Sequence, residues 1–149
     1  MRQLTIPEGF LLLLKVRNEY WVQEMHGPLH QLKDGRLSKI EGSEFLNGTT
    51  TRVILPYGKD RYLIGTSTGE IYIYDKKNFI PWNNALSSQL HGQELNCGIY
   101  CAKRNSYYLG TQLSGIYEID VQGNILNHFS AANSLQNNTI LSLYEDNRN

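Results

Sequence analysis

His26 and His30 stand four residues apart, the spacing at which two imidazoles on one helical face share a zinc ion. Gly27 and Pro28 lie between them and break a helix, and no glutamate or third ligand completes the set, so metal binding is not expected. Cys97 and Cys101 are also four apart. On a strand that is about 13 Å, too far for a mutual disulfide. They read as two buried thiols, with pairing to a thiol outside this chain the alternative in an oxidising compartment.

The chain has no Gly-Lys-Ser/Thr phosphate loop and no Gly-x-Ser-x-Gly elbow. Two carboxylates could meet as a glycosidase pair, but Asp75 and Asp120 recur at matching strand ends. Recurrence marks them as turn formers rather than a unique acid and base. Neither catalysis nor a cofactor is expected of this segment. The chemistry that remains is recognition. Thr68, Gln112 and His26 fall in strand-connecting turns, and His91, Gln93, Glu94 and Asn137 fall in longer connections. Neutral amides and hydroxyls present paired donors and acceptors, which with Trp82 or Phe129 for stacking suit a sugar-like ligand. Trp21 and Trp82 are themselves expected to pack between sheets.

Those residues need a scaffold of strands. Ten Tyr and thirteen Gly, with short apolar segments between turn clusters, point to β-structure. In Glu70-Ile-Tyr-Ile-Tyr-Asp75 both alternating sets are apolar or aromatic, as in a strand covered on both faces. Sliding the chain on itself by 45 residues pairs Tyr62 with Tyr107, Gly65 with Gly110, Ile71 with Ile116 and Asp75 with Asp120, with no gap needed. A shift of 42 lays Phe10–Val22 over Arg52–Ile64, although Gln23-Glu24 stand where Gly65-Thr66 stand.

Periods in the low forties with four short strands per unit are the pattern of propeller blades. The expected fold is all-β: a partial β-propeller of about three four-stranded blades at 10–41, 51–82 and 96–129, plus the start of a fourth at 138–149. The middle blade should have strands near 51–57, 61–66, 70–75 and 79–82. Since the fourth copy stops before its second strand, the repeat is expected to continue beyond Asn149, with further blades of the same protein as partners.

Fourteen Lys and Arg balance fourteen Asp and Glu, so direct nucleic-acid contact is not expected. The longest apolar run, Phe10–Leu14, is far short of the roughly 20 residues that span a bilayer. Pro7 and Glu8 precede it and no small-residue cleavage site follows, so it also reads poorly as an export signal.

Tyr-Leu-Ile-Gly-Thr at 62–66, Ile-Tyr-Ile-Tyr-Asp at 71–75, Tyr-Leu-Gly-Thr at 108–111, Ile-Tyr-Glu-Ile-Asp at 116–120 and Ser-Leu-Gln-Asn-Asn-Thr-Ile-Leu-Ser-Leu-Tyr-Glu-Asp at 134–146 resemble the regulator-propeller repeat of bacterial membrane-associated sensors. The resemblance covers about residues 10–149. It implies a periplasmic sensor module, probing glycans or other small molecules as part of a homodimer. A downstream membrane helix would lead to a histidine kinase or a helix-turn-helix regulator. Two competing readings are a propeller enzyme acting on polysaccharide and a purely structural dimerisation module.

Overall fold

The computed structural model describes residues 10–24, 27–46, 48–133, 135 and 137–146, with backbone alone for 10–13. Among the described residues, twelve strands form three antiparallel four-stranded sheets in simple up-and-down order. The first holds β1 (Phe10–Val16), β2 (Glu19–Glu24), β3 (Leu29–Lys33) and β4 (Arg36–Lys39). The second holds β5 (Thr51–Tyr57), β6 (Arg61–Thr66), β7 (Ile71–Tyr74) and β8 (Phe79–Pro81). The third holds β9 (Leu95–Cys101), β10 (Ser106–Thr111), β11 (Ile116–Ile119) and β12 (Ile125–Phe129). None of the three closes on itself. The all-β expectation therefore holds, and the strand limits fall within a residue or so of those expected for the middle unit.

Several tight turns among the described residues are set by residues that take left-handed backbone. Arg17 and Asn105 take φ of 55° and 49° in the β1–β2 and β9–β10 turns, and Lys76 takes 74° between β7 and β8. Asp75 and Asp120 shape the equivalent β7–β8 and β11–β12 turns. Asp75 Oδ1 accepts from the Lys77 and Asn78 amides, and Asp120 Oδ1 accepts from those of Gln122 and Asn124. The Asn78 and Lys77 amides hold the Asp75 carboxyl below its ordinary range.

The second sheet is covered on both faces, which explains why both alternating sets of its strands are apolar. Ile54, Tyr62, Ile64 and Tyr74 meet Val16, Trp21, Leu29, Ile40 and Leu46 on the side of the first sheet. Val53, Leu55, Leu63, Ile71 and Ile73 meet Tyr107, Leu109, Tyr117 and Ile119 of the third. Full burial of each such aliphatic side chain contributes about 1.5–3 kcal/mol. Aromatic rings lock the first seam: Trp21, 2% exposed, lies 4.9 Å from Tyr62 and edge-on to Tyr74. The strands β1, β5 and β9 are the ones that neighbour each other from sheet to sheet.

Strand pairing refines the repeat. Equivalent residues of β6 and β10 differ by 45, but Val53 pairs with Gly65 while Cys97 pairs with Gly110, so β5 and β9 are offset by 44. The gapless 45-residue alignment of 62–75 with 107–120 therefore holds, and only the first strands shift by one residue. Tyr57 pairs with Arg61 across three turn residues and Cys101 with Ser106 across four, and the longer turn absorbs the difference.

Each sheet also receives the start of the next unit. A Cβ on Gly65 would stand 2.9 Å from Leu95 Cδ1, and one on Gly110 would press into Ile140. Only glycine leaves that space. The Ile140 amide also donates to the Thr111 carbonyl at 2.9 Å. Residues 137–146 lie in this way against the third sheet without forming a strand of their own, and 147–149 of the expected fourth unit fall outside the described residues.

The connections contain helix that the strand reading did not anticipate. Ser43–Leu46 forms a 3-10 turn and Ala85–Leu90 a short helix, α1, within the stretch read as a polar loop. Asn84 caps α1: its Oδ1 accepts from the Leu86 and Ser87 amides, while Ser87 Oγ accepts from the Asn84 amide. Leu86 and Leu90 anchor it in the core between the second and third sheets. No helix among the described residues is long and apolar enough to cross a membrane.

Candidate functional site

The turns between second and third strands and the connections between sheets lie against each other at one end. Ser67 Oγ is 3.2 Å from Thr49 Oγ1 and accepts from the Thr50 amide. One unit on, Ser114 Oγ donates to Gln93 Oε1 at 2.6 Å and the Gln112 amide donates to the Glu94 carbonyl. Gly69, with φ of 85°, fits directly beneath the carbonyls of Leu90 and Gln93. This end is built by both side-chain hydrogen bonds and close backbone approaches.

The expected binding residues divide by what they already hold. Thr68 is exposed, and its hydroxyl shares a hydrogen bond with Thr66 Oγ1 at 3.0 Å. Gln93 is half-buried with its carbonyl engaged by Ser114, whereas Glu94 and Gln112 are exposed beside it. Asn137 Oδ1 accepts from the Thr139 amide, shaping the entry to the last segment. His26 lies outside the described residues.

His91 lies on a cleft of about 480 Å³ that it shares with Gly69, Glu70, Tyr72, Trp82 and Ser88. It is the C-cap of α1, so the helix that the sequence did not reveal is what places it there. Tyr72 Oη donates to Glu70 Oε2 at 3.1 Å. Burial and that carboxylate push the phenol up to about 12, so it stays a neutral donor at physiological pH. Trp82 packs edge-on to Tyr57 at 5.8 Å and also lines the cleft. An indole, a phenol, an imidazole and a carboxylate around one cleft can grip a polyhydroxylated ring.

On the outer face of the third sheet Glu118 is 1% exposed. Its carboxylate accepts from Arg104 Nε, Tyr108 Oη, Ser106 Oγ and Asn127 Nδ2. Burial pushes this carboxyl up, but the bonds from Asn127 and Tyr108 with the charge of Arg104 outweigh it and hold it below its ordinary value. Ile73 holds the equivalent place in the second sheet, where the third covers it. Cys97 and Cys101 are free thiols on β9, and burial pushes the Cys97 thiol up. Among the described residues no group of histidine, cysteine, aspartate or glutamate could hold a metal ion.

At the opposite end, a second cleft between the second and third sheets carries Tyr57, Tyr100, Tyr107 and Arg61. Reading the sequence for polar loops passes over it, because its aromatic residues count as core. The available signal is the repeat itself: Arg61 and Glu19 both open a second strand, with opposite charge.

No family model matches the chain, and no curated protein does. Among solved structures it is similar to the computationally designed Ika4 protein, at TM-score 0.59 and 14% identity over 97% of this chain and 86% of that one. It is similar also to the computationally designed Ika8 protein, at TM-score 0.57 and 14% identity over 93% of this chain. The chain spans 41% of the length of Ika8. At this identity the likeness is one of fold alone.

Proposed function

We propose that the chain is a run of propeller blades forming the sensory part of a bacterial transmembrane signalling protein of the regulator-propeller kind. The observation that carries the reading is the stacking of three up-and-down sheets, each receiving the first residues of the next unit at one repeat position, Gln23 in the first sheet and Gly65 and Gly110 in the other two. That arrangement suits a propeller, in which a blade is completed only by its neighbour. The motifs Tyr-Leu-Ile-Gly-Thr at 62–66 and Gln-Asn-Asn-Thr-Ile at 136–140 add the family resemblance.

In this reading the ectodomain is periplasmic and dimeric, and a glycan or other small ligand binds the loop end. Binding favours one placement of the paired propellers, which the output domain reads as a shift in population. The Trp82–His91 cleft with the Gln93–Glu94 rim is the ligand surface. Replacing His91, Gln93 and Glu94 together by alanine in the full-length protein should weaken ligand-dependent output at least tenfold while leaving the circular dichroism of the ectodomain unchanged. Unaltered output would overturn this choice of surface. Response lost instead on mutating the faces between protomers would favour a scaffold.

A further inference from the structure

The two seams between sheets carry one repeat position with opposite charges. Glu19 opens β2 and Arg61 opens β6. Across the first seam, Glu19 Oε2 accepts from Tyr62 Oη at 2.8 Å and from Trp21 Nε1 at 3.2 Å. The Arg17 guanidinium lies 4.9 Å over the Tyr62 ring. The protein thereby shows how a carboxylate is held at this place: by two donors, against an aromatic wall, beside a cation.

Across the second seam the carboxylate is missing. Tyr107, the repeat partner of Tyr62, donates instead to the Pro56 carbonyl at 2.6 Å. Arg61 stands where Glu19 would, and a cleft of about 510 Å³ opens beside it. Its guanidinium lies 4.8 Å over Tyr57. Neither salt bridge among the described residues involves Arg61, and no acidic side chain lines the cleft. The aromatic wall is preorganised. Tyr57 and Tyr107 are 24° from parallel, Tyr100 leans on Tyr107 at 4.9 Å, and Tyr57 Oη and Tyr100 Oη are tied to the Val121 carbonyl and to Asn105 Oδ1. Little side-chain freedom remains to be lost on binding.

We propose that this cleft binds a small carboxylate carried on a ring, the carboxylate on Arg61 and the ring on the Tyr57–Tyr100 wall. A guanidinium presents two parallel N–H groups to a carboxylate, and desolvation beside aromatic faces strengthens the pair. The cleft has the volume of a small-molecule site. The Asn105 and Gln122 amides at its rim offer hydrogen bonds to ring substituents. Binding here is independent of the signalling role and is read on the purified protein.

The test is titration of benzoate and of glucuronate into the 15N-labelled protein, followed by amide shifts, with benzyl alcohol and glucose as neutral counterparts. Millimolar or tighter binding of a carboxylate, weakened about tenfold or more by Arg61→Glu or Arg61→Gln and with shifts centred on 57–61 and 100–107, supports the site. Which of the two anions binds tighter identifies the ring as flat aromatic or hydroxylated. Arg61 is exposed, so circular dichroism should show both variants folded. Equal affinity for the neutral counterparts, unchanged binding in folded variants, or no carboxylate binding at millimolar concentration would each overturn it. Loss of ligand response through the His91 surface would leave this result untouched, so the two readings fail separately.

Discussion

The side chain of Gln23 accepts a hydrogen bond from the backbone amide of Thr51 at 2.7 Å, joining the first sheet to the first residue of the second. Gln23 Nε2 also donates to the carbonyls of Thr49 and Gly27, so the whole carboxamide is engaged although only 2% exposed. Gly65 and Gly110 stand at its place in the other two units, where Leu95 and Ile140 fill the space with hydrocarbon. One repeat position thus closes a seam in two ways, by a polar bridge or by an apolar plug.

Gln23→Ala removes the bridge and strands buried backbone groups at Thr49 and Thr51, which should cost about 1–3 kcal/mol in urea unfolding. The paired change Gln23→Gly with Thr51→Leu imports the solution of the other seams. It should recover part of that loss, with a coupling of about 1 kcal/mol in a double-mutant cycle. Strict additivity would show that the two positions are not exchanged as a unit.

Gly65→Ala sets a Cβ 3.3 Å from Val53 Cβ as well as against Leu95, so it should lower stability by about 1–3 kcal/mol. Gly69→Ala should cost more. Its Cβ would meet the Leu90 carbonyl, which cannot swing aside as a side chain can, and its φ of 85° disfavours any residue with a Cβ. Thermal melts of the two variants give the order directly.

Glu118 provides a pH signature. Its folded carboxyl lies below the ordinary 4.5, so the stability it contributes is fully present above that pH and is lost as pH falls through the folded value. Near neutrality Glu118→Gln should be less stable by about 1.5–3 kcal/mol, since it replaces a charged acceptor of several bonds. The difference between the two proteins should shrink steadily below about pH 4.5. A pH-independent difference in urea midpoints would exclude the charge as its source.

Asn84→Ala removes the cap of α1 and should cost about 1 kcal/mol. Because His91 ends that helix, faster amide exchange should extend from 85 to 91 and the Trp82–His91 cleft should lose definition. Unchanged exchange in that segment would mean that Leu86 and Leu90 hold the helix without the cap.

The strands were legible in the sequence because a strand covered on both faces writes apolar residues at successive positions, and because Gly, Asn and Asp punctuate the turns. Tyr62 with Tyr107 and Gly65 with Gly110 exposed the repeat, since equal environments demand equal residues. Less could be read of α1, whose six residues show one turn and a half of Leu86–Leu90 spacing inside a polar stretch.

What the sequence determined by itself was local: strand identity, two-faced burial, the turn roles of Asp75 and Asp120, and the polar character of the loop end. The tertiary structure decided which of these residues meet. The one-residue offset of β5 and β9 rests on the pairing of each with its neighbouring strand, and the opposition of Glu19 to Arg61 at two seams rests on contacts between sheets such as that of Glu19 with Tyr62. Alternation along a strand says which side chains are buried. Only the face-to-face stacking of sheets selects the partner, because packing complementarity and buried hydrogen bonds are settled between surfaces and not along the chain.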